Sequence, residues 1–492
     1  MDVKRLKLVE EEDRISDLPD SMIHHILSFL PSTREAIQTG ILSKRWRNQW
    51  TCVPVLIFDS PSYGMYSNQS DQNFLRLIEN SLPLYDCSKM NKLQLGYNFK
   101  KDPDFASKIS FATRKHVDKL ILDCYFPFSV DCYLLPEFLL DNSSLVELKM
   151  SYCFFRLDWS VNWGSLKSLE IVGWGLICRP SIGKLVFCCP LLESLEFRNS
   201  NMGMNGDDDD DDVIASKSLK RLILVEITID HHMKISCPNL AELVICPNHS
   251  YGLPDKMIEI SCPNLESVEL HSSGIQTYKL VNCPSLVYAD LDFEIHTSEN
   301  GENVAKQNLQ QLQHVKELTI RSWFIKILSA LEMEGLSYRM LNNKNLTLRL
   351  TNFEQFLGIE CALRSSPALE RLVIKLPVYV GRMTADLSDL YEPCWDLNDC
   401  GENYYSNSNE TDFNCSVSHL KFVKIFGLNK RDAKSKLVIN FIEFLLKNAR
   451  VLEKLVLVIS KDRGTDFGYK VSQKVLNFPR RSRYAIVDLL YS

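Results

Sequence analysis

Apolar residues in this chain recur with two different periods, and the change falls shortly after residue 50. Before it, Met22, Ile23, Ile26, Leu27 and Leu30 stand three or four apart, which predicts an amphipathic helix. Asp20 and Ser21 occupy positions suited to capping it. Pro31, which cannot donate to a helical ladder, ends it. Ser32 followed by Glu35 has capping-box spacing for a second short helix, and a third is expected from about Ser43 through Lys44, Arg45, Trp46 and Arg47. A module of roughly 40 residues rarely supplies a self-sufficient core. Its many apolar side chains therefore fit either of two uses: packing within a three-helix domain, or docking onto another protein.

Beyond the cassette the pattern becomes apolar-x-x-Leu-x-apolar. It reads MNKLQL at Met90, VDKLIL at Val117, LVELKM at Leu145, LKSLEI at Leu166 and LESLEF at Leu192. It continues as LKRLIL at Leu219, LAELVI at Leu240, LESVEL at Leu265, LVYADL at Leu286 and VKELTI at Val315. Successive starts lie 27, 28, 21, 26, 27, 21, 25, 21 and 29 residues apart, within the leucine-rich-repeat range. A weaker KNLTLRL and then SPALERLVI extend the series. Each repeat predicts a short strand whose alternate residues point inward, followed by a return segment. One repeat cannot bury its apolar side alone, so stacking into a solenoid with a concave sheet is expected. Farther on, Leu420, Val423 and Ile425 match the strand motif, as do Leu452, Leu455 and Leu457. Between them Leu437, Phe441, Phe444 and Leu445 form a helical stripe ending near Asn448. The tail thus reads as strand, helix, strand in register with the repeats.

Alternation also identifies the solvent-facing strand positions: Lys149, Glu170, Glu196, Ile223, Val244, Glu269 and Asp290, with Glu242 and Asp292 in neighbouring columns. Glu170, Glu196, Glu242, Glu269, Asp290 and Asp292 are the candidate target-facing residues, an acid-leaning patch suited to a basic partner segment. The alternative is that exposed acids only keep a sheet soluble. Four repeats begin with Cys-Pro, at Cys189, Cys237, Cys262 and Cys283. Placement at the same landmark points to small buried residues at a rigid corner rather than to metal or redox chemistry. The run Asp207 to Asp212 has no EF-hand spacing and reads as a solvated loop between repeats. Residues 378–416, with Asp386, Asp389, Glu392, Asp396, Asp399, Glu402, Glu410 and Asp412, read as an acidic insertion or linker.

Composition narrows the class. The formal charge of −6, from 56 basic and 62 acidic residues, disfavours a nucleic-acid binder. No apolar run reaches the ~20 residues of a membrane helix, and MDVKRLKLVEEEDR has no secretory h-region. The 16 cysteines include no CxxC pair. With no signal peptide they are expected to be free thiols in a reducing compartment, cytoplasm or nucleus or both. No GxSxG, P-loop, HExxH or GxGxxG context occurs, so catalytic residues, metal and cofactor are all expected to be absent.

LPDSMIHHILSFLP followed by ILSKRWRNQW resembles the F-box of plant proteins, over about Asp13 to Val53. Residues 417–492, above all KNARVLEKLVL, resemble the FBD domain that follows leucine-rich repeats in many plant F-box proteins. The resemblance implies an α/β fold: a three-helix F-box (13–55) after a short tail (1–12), then a leucine-rich-repeat horseshoe (85–377) and, beyond the acidic linker, a capping FBD segment. It further implies docking onto the Skp-type adaptor of a cullin-based (SCF) ubiquitin ligase. In that reading Leu18 and Pro19 enter the adaptor's groove. Ile23, Ile26, Leu27, Leu30, Leu42 and Trp46 supply apolar contact or hold the helices that do. The repeats would then recruit an unidentified protein for ubiquitination; the alternative is a protein-interaction scaffold without a ligase role.

Overall fold

The computed structural model describes residues 15, 18–60, 68–124, 133–154, 161–173, 182–199, 212–227, 229, 231–247, 257–271, 277–293, 299–333, 335, 338–350, 359–376, 417–428, 435–459 and 467–491. The acidic stretch 378–416 and Asp207 to Asp211 lie outside them. The chain forms two compact units, residues 1–178 with 188–192, and residues 179–187 with 193–492. No helix among the described residues is long and apolar enough to cross a membrane.

The first unit begins with helices α1 (Asp20–Ser28) and α2 (Thr33–Gln38), followed by two 3₁₀ segments, Thr39–Ile41 and Trp46–Cys52. Ser32 caps α2 as its spacing predicts, its Oγ accepting from the Glu35 amide at 3.3 Å. The expected cap of α1 does not form. Pro19 is the N-cap residue, without a side-chain cap bond, and Asp20 already lies in the first helical turn. Its carboxylate is instead held by Arg45, with Nη2 to Oδ1 at 2.6 Å. The helix expected from Ser43 is a 3₁₀ segment starting at Trp46, whose amide donates to Ser43 Oγ at 3.4 Å.

After the cassette come β1 (Val55–Asp59), β2 (Lys92–Tyr97), β3 (Lys119–Cys124), the two-residue β4 (Tyr133–Leu134), β5 (Glu147–Ser151), the two-residue β6 (Cys153–Phe154) and β7 (Ser168–Val172). Within this unit β1, β2, β3, β5 and β7 pair in that order, all parallel and in unbroken register. Strand β1 starts the ladder, and its Leu56 and Phe58 stand in register with Leu93 and Leu95 of the first repeat motif. Its Ile57 amide donates to Thr33 Oγ1 at 2.7 Å, which ties α2 to the first rung. A buried ion pair lies behind β2. Lys108 Nζ sits 2.7 Å from both oxygens of Asp102, and the Tyr97 hydroxyl donates to the same carboxylate at 2.6 Å.

The second unit contains β8 (Ser194–Arg198), β9 (Asp212–Ala215), β10 (Arg221–Val225), β11 (Met233–Ser236), β12 (Glu242–Cys246), β13 (Met257–Ile260), β14 (Ser267–His271), β15 (Thr277–Leu280) and β16 (Tyr288–Asp292). Then follow β17 (Glu317–Arg321), β18 (Asn345–Arg349), β19 (Arg371–Lys375), β20 (Phe422–Leu428), β21 (Lys454–Ile459) and β22 (Ile486–Tyr491). Strands β8, β10, β12, β14 and β16 to β22 form one parallel ladder. The tail joins it as expected: β20 pairs with β19, the helix Ser435–Asn448 crosses over, and β21 pairs with β20. A helix at Phe467–Leu476 and the edge strand β22 complete it. The register shifts at Gly427, whose φ is +87°. A Cβ there would approach the Leu376 carbonyl to 2.9 Å, so only glycine fits.

The return segments hold a feature that the repeat motif does not announce. Strands β9, β11, β13 and β15 form a second parallel sheet. Cys-Pro corners close three of its four rungs, those of β11, β13 and β15: Cys237, Cys262 and Cys283 are fully buried, and each thiol points at the carbonyl of an earlier back strand, Ile214, Ile235 and Ile260 respectively. Burial pushes the Cys262 thiol up to about 12, so it stays protonated and inert. The back sheet ends at β15 because Asn308, on the helix Glu299–Leu312, occupies the next rung. Its side chain accepts from the Leu280 amide at 2.8 Å and donates to the Tyr278 carbonyl at 2.9 Å. Asp212 departs from the solvated loop expected of its aspartate run. It is 3 % exposed and accepts from the amides of Ile182 and Gly183 at 2.9 and 3.1 Å, anchoring the turn that enters the helix Ile182–Phe187.

Candidate protein-docking surfaces

Helix α1 carries two apolar stripes side by side, and the cassette can bury only one. Ile23 and Leu27 pack with Ala36, Trp46, Trp50 and Val53 into a small closed core, with Leu18, Leu30, Ile37 and Val55 partly buried against it. Met22, Ile26 and Phe29, four and three residues apart, occupy the neighbouring face and stay exposed, Phe29 to 74 %. Just beyond α2, Ile41 and Leu42 are exposed to 88 % and 66 %. Leaving five large apolar side chains in water on so small a module is the usual mark of an interaction surface.

The sequence-derived set thus divides. Ile23, Leu27 and Trp46 are core residues that hold the helices, at 0 %, 3 % and 5 % exposure. Leu18 and Leu30 are half-buried, and Pro19, Ile26 and Leu42 face solvent. Met22, Phe29 and Ile41 are exposed too and lie outside that set. The spacing Met22, Ile26, Phe29 was the available signal for Phe29; Ile41 had none, because its exposure depends on how the 3₁₀ segment turns. Arg45 fixes the Leu18–Pro19 entry, since its guanidinium donates to the Leu18 carbonyl as well as to Asp20. That hydrogen bond from Arg45 holds the Asp20 carboxyl below the ordinary carboxylate range. His24 is tied to Gln49 at 2.6 Å, a second link between α1 and the last 3₁₀ segment.

The outward positions of the strands form the other candidate surface. In the first unit Glu170 pairs with Lys149 at 2.8 Å. In the second, Glu196 lies between Arg198 and Arg221, the latter at 2.9 Å, and Arg221 also holds Glu242 at 2.9 Å. Burial alone would raise the Glu196 carboxyl, but the two guanidiniums outweigh it and hold it below its usual value. Asp290 and Asp292 share Arg349, which reaches Asp290 at 2.9 Å, and Asp292 also meets Arg321. Glu269 faces Tyr288, whose hydroxyl is pushed up to about 12, first by burial and then by the neighbouring Asp290 and Glu269 charges. The acid column is therefore largely neutralised by bases on the same strand or one or two strands away in the ladder. As a patch for a basic segment it is weaker than its composition implies.

Charge along this face also reverses. Beyond Asp292, the outward positions of β19 to β21 are Arg371, Val373, Lys375, Phe422, Lys424, Phe426, Lys454, Val456 and Val458, with cations and no carboxylate. Arg371 lies over the Phe422 ring at 4.1 Å and Lys424 over Phe426 at 4.3 Å. Among the described residues no group of His, Cys, Asp and Glu side chains is arranged to hold a metal ion.

Comparison with known proteins matches three stretches of the chain. Residues 15–58 match the F-box domain model, residues 105–283 match the model "FBD-associated F-box protein At5g56370, LRR repeats", and residues 410–457 match FBD. The chain is 28% identical over 460 residues to the putative F-box/LRR-repeat protein At3g18150 of Arabidopsis thaliana, covering 92% of this chain and 88% of that protein. It is 28% identical over 468 residues to the Arabidopsis thaliana F-box/LRR-repeat protein At5g02910, covering 92% and 89%. It is also 30% identical over 379 residues to the putative F-box protein At1g49610 of the same plant, covering 74% of this chain and 85% of that protein. The chain belongs to the plant F-box/leucine-rich-repeat proteins that carry an FBD segment.

Proposed function

We propose that this protein is the substrate-recognition subunit of an SCF-type ubiquitin ligase. Its F-box docks onto a Skp-type adaptor and, through it, a cullin, while the strand face of its repeats holds the target protein. The observation that carries this reading is the second stripe of α1 with Ile41 and Leu42: apolar side chains exposed on a cassette whose own core is already closed. Burying them against a partner would gain roughly 25 cal/mol per Å² of apolar area. The chain contributes no nucleophile, acid or base in this role. Rate enhancement comes from holding a target lysine near a ubiquitin-loaded enzyme supplied by other subunits.

The test is co-purification of the Skp-type adaptor and cullin with the wild-type chain and with Leu18→Ala/Pro19→Ala. The wild type is expected to retain both and the double variant to lose both. A wild type that captures no adaptor overturns the ligase reading. A wild type that captures adaptor without cullin supports a scaffold instead.

A further inference from the structure

We propose that the strand face of the FBD region captures an acidic segment of the target, of the form acid-x-apolar-x-acid in extended conformation. This rests on the substrate-receptor reading and names the chemistry of the segment received. Arg371 and Lys375 open and close the outward row of β19, with Val373 between them, and both cations are exposed. Lys424 stands beside Val373 on the paired strand β20, and Phe422 and Phe426 flank the two ends of the row. Among the described residues none of these three cations has a carboxylate partner. They differ in this from Arg221, Arg321 and Arg349, which are committed to acids of the same face.

The geometry sets the spacing. Four residues along a strand span about 13 Å, and an extended peptide places residues i, i+2 and i+4 on one side at the same rise. A segment lying along β19 therefore meets Arg371 and Lys375 with acids four apart and offers the residue between them to the half-buried stem of Lys424, beside Val373, which is 9 % exposed. The aromatic rings set the partner class. Arg371 and Lys424 already cover one face each of Phe422 and Phe426, where a stacking base would have to displace the cation. A phosphodiester strand continuing across the ladder would reach Asp290 and Asp292 on β16, about 14 Å from β19. A short acidic peptide ends before that.

The experiment uses the full chain, with its adaptor where one is captured, and fluorescently labelled peptides. The probes contain Glu-Ser-Leu-Ser-Glu, its Gln-Ser-Leu-Ser-Gln counterpart and its Lys-Ser-Leu-Ser-Lys counterpart, beside a single-stranded RNA decamer. The acidic peptide is expected to bind tightest and to weaken as salt is raised. Arg371→Glu/Lys375→Glu should weaken it about tenfold and improve binding of the lysine peptide. Lys424→Gln, a milder change, should weaken it two- to threefold. Equal binding of the acidic and glutamine peptides, an unchanged double variant, or tighter binding of the RNA would each overturn the proposal. An unchanged urea denaturation midpoint shows that the variants are folded. Loss of adaptor capture by the wild type would instead sink the ligase reading and leave the peptide result standing.

Discussion

In the cassette, α1 hides Ile23 and Leu27 and leaves Met22, Ile26 and Phe29 in water. Along the second-unit ladder, from β8 to β21, the two inward residues at the centre of every strand are no more than 2 % exposed, and the outward positions are mostly charged, polar or covered by a neighbour. The ladder closes its apolar account within the chain; the cassette does not. One region therefore leaves exposed hydrophobic area free for a partner. The other presents a pattern of charge, in which Arg371, Lys375 and Lys424 have no carboxylate partner among the described residues. The strands of the first unit are closed tightly enough to hold a buried ion pair behind β2, where Lys108 reaches both oxygens of Asp102 while Tyr97 satisfies a further lone pair.

The most severe test of that contrast is this pair. Lys108→Ala leaves Asp102 buried and uncompensated and is expected to cost about 3–5 kcal/mol of stability, read from urea denaturation. A loss below about 1 kcal/mol would mean that water reaches Asp102 and that the first unit is less tightly closed than described. Next in size is Leu291→Ala, on an inward position of β16 that is fully buried. It should cost about 2–5 kcal/mol, since neighbouring rungs cannot collapse into the space without breaking register.

The cassette should behave in the opposite way. Ile41→Ala/Leu42→Ala is expected to change unfolding free energy by less than about 0.5 kcal/mol, yet to weaken adaptor capture roughly tenfold or more. If instead the double variant unfolds the cassette while binding of the folded fraction is unchanged, these side chains belong to an internal core and the contrast fails.

The regions differ equally in how legible they are. The repeat motif placed ten ladder strands, from β2 to β17, and the tail motifs placed β20, β21 and the helix between them. What it did not show was the back sheet, or β1, whose Val53-Pro54-Val55-Leu56-Ile57-Phe58 fits the motif but starts 37 residues before Met90, outside the repeat spacing. Back strands such as MKIS and MIEI are too short to read as strands until their parallel neighbours are known. In the cassette, a stripe of residues three and four apart fixed a helix but not which of two adjacent faces turns inward. That depends on where Trp46 and Trp50 return to pack. On the strand face, residue types were readable and pairing was not. Arg349 meets Asp290 across 59 positions of sequence, a partnership that exists only once β16, β17 and β18 are in register.

The smallest effect expected concerns this same register. His271 on β14 faces Asp290 on the adjacent β16, with Nε2 to Oδ1 at 3.6 Å. The Asp290 carboxylate, and after it Cys246, push the imidazole up to about 9, against the burial that would lower it. Arg349, which shares Asp290, is the cation facing the same carboxylate, so the shift is a balance and not an isolated pair. Because the folded value lies above the ordinary histidine value of about 6.5, the folded state holds the proton more tightly than the unfolded chain. The stabilisation is therefore fully present below about pH 6.5 and lost as pH rises through about 9. With solvent reaching part of the ring, it amounts to something on the order of 1 kcal/mol. His271→Gln should remove that dependence, so the stability difference between wild type and variant, followed by urea denaturation from pH 6 to pH 9.5, is expected to shrink with rising pH. A difference that stays flat would show that Arg349 alone neutralises Asp290, and that the histidine contributes packing without charge.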